Sequence, residues 1–242
     1  MSKLDKLIFP VKNHNSAVVV LSGGQDSVTC LGLALNNYEK VYAIGFAYGQ
    51  RHTVELACAE QICKEHNVPF TVFEIPALRK MGNSALIGDA GDVNAHHEQH
   101  DNLPASFVPN RNALFLTTAH AYAQKVGARY VVTGVCETDY SGYPDCRQAF
   151  IEMLQATLNV GYETDIHFVT PLMKLTKAET FELADKVGFL TTVIEQSHTC
   201  YNGVRRHLHD WGYGCGECPA CKLRKAGYDE FYDSGRWRTN TF

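Results

Sequence analysis

No uninterrupted apolar stretch reaches the roughly 18 residues that a bilayer-spanning helix requires, so no membrane association is expected. Residues 1–15 carry charges and Pro10 and hold no apolar block of the kind a secretory leader uses; a cytoplasmic location is expected. There is no long run of Lys and Arg, and the net charge is -4. A protein that grips nucleic acid mainly through its phosphates would show the opposite balance, so no direct nucleic-acid partner is expected. No internal repeat of fixed period is present. Disulfide staples are not needed either, because 242 residues are enough for a sizeable core.

What the chain does have is alternation. Residues 17–21, 41–46, 69–75, 130–133 and 166–169 are short runs rich in β-branched and aromatic residues. Between them lie segments of helical length whose apolar residues share one face, such as Val54, Cys58 and Ile62, or Phe150, Ile151, Leu154 and Leu158. Thr176 followed by Glu179 is a capping box that opens one more helix. This order predicts an α/β fold, doubly wound on a mainly parallel five-stranded sheet, with ligands beyond the C-terminal strand ends. The expected division is an α/β domain over 1–195 and a small C-terminal module over 196–242. Residues 81–106 break the rhythm. Their His96, His97, His100, Asp92, Glu98 and Asp101 have no spacing that selects a metal.

The first strand runs into Leu21-Ser22-Gly23-Gly24-Gln25-Asp26-Ser27 and then a helix. Glycines at such a turn let the backbone approach a ligand closely, and the first helical N–H groups favour an anion. Ser22 and Ser27 add hydroxyls, and Asp26 is a candidate holder of the Mg2+ that travels with a nucleotide. No lysine follows the glycines, which excludes the common NTPase cradle. The string resembles instead the PP-loop ATP pyrophosphatases.

Near the C-terminus, Cys200 is joined by Cys215, Cys218 and Cys221, the last three at CxxC spacing. Four thiolates can close a tetrahedral structural site around one Zn2+ per chain. An iron–sulfur cluster is the competing reading, since CxxCxxC also opens a ferredoxin run. A ferredoxin continuation would need a cysteine where Lys225 stands. His198, His207 and His209 are expected at the surface or as partners of the site.

Four further strings carry a more specific resemblance. They are Tyr48-Gly49-Gln50-Arg51-His52, Val108-Pro109-Asn110-Arg111-Asn112, residues 134–147 from Gly134 to Arg147, and Thr170-Pro171-Leu172-Met173-Lys174-Leu175-Thr176-Lys177-Ala178-Glu179. With the SGGQDS loop and the cysteine-rich end, they resemble the QueC family of queuosine biosynthesis from about residue 17 to about residue 228. The resemblance implies a 7-cyano-7-deazaguanine synthase: an ATP-dependent, AMP-forming C–N ligase that converts 7-carboxy-7-deazaguanine and ammonia into the nitrile, most simply as a homodimer. A relative that joins the activated deazaguanine to another amine, and more distantly a tRNA sulfurtransferase, are the alternatives.

The same resemblance suggests roles. Asp26 and Lys177 are the catalytic candidates, with the 21–27 loop holding ATP; a solvated Lys in a first helical turn is the plainer reading of Lys177. Gln50, Arg51, Arg111 and Arg147 are candidates to meet the substrate, the two last through its carboxylate. Asp139 or Asp145 would read the guanine-like edge, with Tyr140 and Tyr143 stacking and Ser141 and Gly142 shaping the loop. Three features depart from the family: residues 204–211 look inserted, Asn110 stands where glycine is usual, and a leader precedes the first strand.

Overall fold

The computed structural model describes residues 2–50, 52–78, 107–137 and 143–235 in full, and the backbone alone at 79–80, 96–97 and 100–104. Five strands, β1 (Asn13–Val20), β2 (Tyr38–Ala47), β3 (Phe70–Glu74), β4 (Tyr130–Val132) and β5 (His167–Val169), form one sheet in the order 3-2-1-4-5. Every pairing in it is parallel. The helices are α1 (Gln25–Asn37), α2 (Val54–Glu65), α3 (Arg111–Val126), α4 (Gln148–Tyr162), α5 (Lys177–Lys186), α6 (Leu190–Glu195) and α7 (Pro219–Asp233). Two short antiparallel pairs, His96–His97 with His100–Pro104 and Leu208–His209 with Gly212–Tyr213, stand apart from the sheet.

The pleat explains the two layers. Successive strand residues point to opposite faces, and β1 sends Ala17 and Val19 to one core and Val18 to the other. The first core holds α1, α5 and α7 through Val28, Leu31, Phe181 and Phe231. The second holds α3 and α4 through Leu116, Ala119, Ala123 and Ile151. Strands buried on both faces read as unbroken apolar runs, which is why β1 was visible in the sequence.

The strand is longer than expected, starting at Asn13 instead of residue 17, with an irregularity between Asn13 and Ser16. The leader ahead of it is part of the fold. Leu4 is buried, Leu7 and Ile8 pack on the first core, and the Asn37 side-chain amide donates to the Leu7 carbonyl at 2.7 Å. The capping box forms as expected: the Glu179 N–H donates to Thr176 Oγ1 at 3.2 Å, and the Thr176 N–H to Glu179 Oε2 at 2.9 Å.

Asn110 takes a left-handed conformation, φ 57°, immediately before α3. Among residues with a Cβ, asparagine is one of the few that tolerates that region, so the departure from glycine leaves the turn intact. With β2 and β4 flanking β1 and the connections diverging to opposite faces, the switch point lies at the C-terminal ends of β1 and β4.

Candidate active site

A cavity of about 350 Å³ opens at that switch point. The loops after β1, β2 and β4, the start of α5 and the segment around Cys200 all contribute to its wall. At one end lies the 21–27 loop. Gly23 has φ +92°, and a Cβ there would sit 2.0 Å from the Glu55 carbonyl oxygen, so only glycine fits between the loop and α2. The Gly23 N–H donates to Ser27 Oγ at 3.2 Å and the Gly24 N–H to Ser22 Oγ at 3.3 Å. Gln25 donates its N–H to Thr199 Oγ1 at 3.2 Å, and α1 has no side-chain cap from Gly24. Hydroxyl oxygens thus occupy the positions from which an anion would be held.

Lys177 reaches into this end from the first residue of α5, its Nζ 2.6 Å from Asp26 Oδ2 and its side chain 12% exposed. A cation there opposes the helix dipole; the Asp26 carboxylate offsets it, and the Lys is not a solvated surface residue. The approach needs Gly227 on α7, where a Cβ would lie 2.3 Å from the Lys177 Cβ. Asp26 Oδ1 is buried and has no hydrogen-bond partner among the described residues. An orphaned carboxylate oxygen beside a phosphate cradle is a fitting ligand for a hard divalent cation.

The other end is aromatic. Phe46 and Phe115 stack with centroids 4.1 Å apart and planes 4° from parallel, and Tyr48 and Tyr143 extend the wall. Gln50 closes the turn after β2, accepting from the Tyr48 N–H at 2.9 Å and donating to the Phe46 carbonyl at 3.1 Å. Arg111, at the start of α3, lies 5.9 Å from the Tyr143 ring centroid. Burial works against its charge, but Tyr48, Tyr143, Asp145 and Cys146 outweigh burial and raise its pKa.

The cavity brings together Leu21, Ser22, Gly24, Gln25, Asp26, Ser27, Gln50, Arg111, Tyr143 and Lys177. It does not include Asp145 or Arg147. Asp145 is buried behind the wall and accepts the Asn112 N–H at 3.2 Å, so it serves the N-terminus of α3. Arg147 is exposed at the cap of α4. Arg51, Asp139, Tyr140, Ser141 and Gly142, and the side chains at 92–101, lie outside the described residues.

Several lining residues were missed in the sequence. Glu55 is the most informative: burial foremost, with Cys200 nearby, pushes its carboxyl up to about 7, against the opposing pull of Arg111. Tyr201, whose phenol burial also raises, with Thr199 and Arg224, line the cavity from the C-terminal region. An acid in the first turn of α2 reads from sequence as an ordinary helix starter, and nothing local marks Thr199 or Arg224.

The four cysteines Cys200, Cys215, Cys218 and Cys221 converge, with their ligand atoms all within 4.8 Å of one another. Cys215 and Cys221 sulfurs are 3.9 Å apart, close to the about 3.8 Å edge of a tetrahedron with 2.3 Å metal–sulfur bonds. Backbone N–H groups of Glu217 and Cys218 donate to Cys215 Sγ at 3.4 Å. The Cys200 thiol is pulled down by hydrogen bonds from Cys218 and Cys221. Residues 204–211 are not an idle insertion: Trp211 is buried against Cys200, Cys218 and Cys221. His198, expected at the surface or as a partner of the site, is fully buried two positions before Cys200, and both its ring nitrogens lack partners among the described residues. His207 and His209 are exposed, His209 stacking on Trp211. All nine cysteines are free.

Comparison with known proteins agrees with these motifs. The chain is 51% identical over 223 residues to the 7-cyano-7-deazaguanine synthase of Wolinella succinogenes, spanning 92% of this chain and 96% of that one. The enzymes of the same name from Helicobacter pylori strain Shi470 and Nitratidesulfovibrio vulgaris strain DP4 are 49% and 48% identical, over 88% and 89% of this chain and 95% and 93% of theirs. The family described as "Queuosine biosynthesis protein QueC" matches residues 16–232, and the chain belongs to that family.

Proposed function

We propose that the protein is a 7-cyano-7-deazaguanine synthase, making the nitrile from 7-carboxy-7-deazaguanine, ammonia and two ATP. The observation that carries this reading is the near-half identity, over nearly the whole length of both chains, to enzymes of that name. The cavity supports it, with a phosphate cradle at one end and aromatic rings for a flat base at the other.

A carboxylate is a poor electrophile. Its oxygen attacks the α-phosphorus of ATP, pyrophosphate leaves, and ammonia then displaces AMP from the acyl carbon, losing one proton to give the amide. The amide oxygen takes a second AMP in the same way, and AMP departs as the nitrogen loses its remaining protons and the C≡N bond forms. Ser22, Gly23, Gly24 and Ser27 hold the phosphates. The Lys177 ammonium offsets charge developing on the leaving pyrophosphate, and Asp26 keeps it in place. Mg2+ held by Asp26 Oδ1 would supply further charge neutralisation. Arg111 meets the substrate carboxylate, and Asp139 is the remaining candidate for the guanine-like edge.

The cysteine site is assigned to Zn2+. Four sulfurs this close suit one ion; a four-iron cluster, with each thiolate on a different iron, holds its sulfurs further apart. We assign 1–195 to the ATP-binding α/β domain and 196–242 to the metal module, whose Thr199, Tyr201 and Arg224 complete the cavity wall, and the protein to the cytoplasm, where ATP and reduced thiols are abundant. A homodimer is assigned through α4, which leaves Met153, Val160 and Tyr162 exposed.

The test is mass spectrometry of the products from purified protein, 7-carboxy-7-deazaguanine, ATP, Mg2+ and an ammonium salt, beside Asp26→Ala. Nitrile with AMP from the wild type alone is expected. AMP with the acid unchanged, or the deazaguanine mass on another amine, would replace ammonia as the acceptor.

A further inference from the structure

The loop 21–27 makes two hydrogen bonds with a segment far away in sequence, accepting one and donating the other. The His198 N–H donates to the Gly23 carbonyl at 2.9 Å, and Thr199 Oγ1 accepts the Gln25 N–H at 3.2 Å. Both land on the turn whose shape decides where the phosphate oxygens can sit. Thr199 Oγ1 in turn accepts from Arg224 Nη1 at 3.1 Å.

Arg224 is 1% exposed and uses its guanidinium as a bracket. Nη1 also donates to Ser197 Oγ at 3.0 Å, Nη2 to the Val193 carbonyl at 2.7 Å and Nε to the Trp211 carbonyl at 2.7 Å. These four bonds join α6, the segment before Cys200, the 204–211 insertion and α7. Burial pulls the guanidinium down to about 10, yet it stays charged at neutral pH.

The two partners of the Thr199–Arg224 bond are each tied to a cysteine of the metal site. Thr199 precedes Cys200, and Arg224 lies one helical turn after Cys221 on α7. A metal that draws Cys200 and Cys221 together therefore sets the distance between Thr199 and Arg224. That distance sets the position of the hydroxyl that holds Gln25. We infer that Thr199 and Arg224 are positioning residues through which the four-cysteine site shapes the nucleotide cradle, so that metal and nucleotide bind with positive coupling. On this reading the module does more than close a small fold of its own.

The inference rests on the assignment of loop 21–27 to ATP. Coupling between binding sites is reciprocal, which gives two independent readouts. The first is the affinity of metal-loaded protein for an ATP analogue with an uncleavable α,β-methylene bridge, measured calorimetrically with Mg2+. The second is the equilibrium partition of Zn2+ between the protein and a chromogenic chelator, with and without that analogue.

In the wild type the analogue should tighten Zn2+ binding at least fivefold, the lower end of ordinary coupling energies. Thr199→Val keeps the shape and removes the hydroxyl. It should weaken analogue binding roughly five- to tenfold, the worth of a hydrogen bond, and should bring the two Zn2+ affinities together. Thr199→Ser should restore both. A residue that only supported folding would lower the melting temperature without erasing the effect of nucleotide on metal affinity. Equal Zn2+ affinity with and without bound analogue in the wild type would overturn the inference while leaving the nucleotide site standing, and that measurement needs no variant. Wild-type protein that fails to bind the analogue at all would overturn both.

Discussion

The two ends of the cavity are built on different principles. At the phosphate end, hydroxyls and amides already pair with one another, and the Lys177 ammonium already has its carboxylate. On the proposed assignment an arriving triphosphate would exchange these partners for its own oxygens, so the end is preformed and inexpensive to keep. Further along the wall, a half-buried guanidinium and a half-buried carboxyl have their ionisation shifted in opposite senses: Arg111 is held charged and Glu55 is pushed toward neutrality. A cradle can be kept satisfied without its ligand, whereas a site proposed for a flat, carboxylate-bearing heterocycle keeps a partly desolvated cation in place until the ligand arrives.

The sharpest way to break the contrast is at the phosphate end. Asp26→Ala should reduce pyrophosphate release by 10³-fold or more, and Lys177→Met by roughly 10²–10³-fold, as for the loss of a group that stabilises transition-state charge. The double variant should be little worse than the poorer single one, because each residue acts through the other. Additive losses in a pyrophosphate-release assay would show that the 2.6 Å pair is incidental.

At the base end, Arg111→Gln should raise KM for the carboxylate substrate about 10- to 100-fold, the worth of a charge-assisted hydrogen bond, with KM for ATP unchanged. A shift in the ATP value instead would move Arg111 to the phosphate end.

Glu55 sharpens the comparison through pH. Its carboxyl titrates at about 7 in the folded protein against 4.5 in the reference state. The folded state therefore binds more protons between those values, so this contribution to stability is fully present below the lower pKa and is lost as pH rises through the folded value. Glu55→Gln in the metal-loaded protein should remove that loss, gaining on the order of 1–3 kcal/mol above pH 7 relative to wild type and little below pH 4.5. Denaturant melts at a series of pH values would read it, and parallel wild-type and variant curves would refute the burial of this charge.

The smallest effect lies outside the cavity, at the turn into α3. Asn110→Ala should cost about 1 kcal/mol for a left-handed alanine, and Asn110→Gly close to nothing. Equal melting temperatures for the two variants would mean that the turn relaxes.

The sequence by itself determined the sheet, the 21–27 loop, the capping box and the cysteine quartet, because each rests on local chemistry. Two-sided burial writes itself as an apolar run, a phosphate turn needs adjacent glycines and hydroxyls, a capping box spans one helical turn, and metal ligands keep short spacings. Tertiary structure decided what those elements meet. Lys177 became a partner of Asp26, 151 positions away. Asp145 became a support for α3, and the leader and the 204–211 insertion became parts of two cores. Glu55, Thr199 and Arg224 look like ordinary helix or loop residues in one dimension. Their chemistry comes from burial and from neighbours 13 to 174 positions distant, a property of the closed fold that no short window of sequence contains.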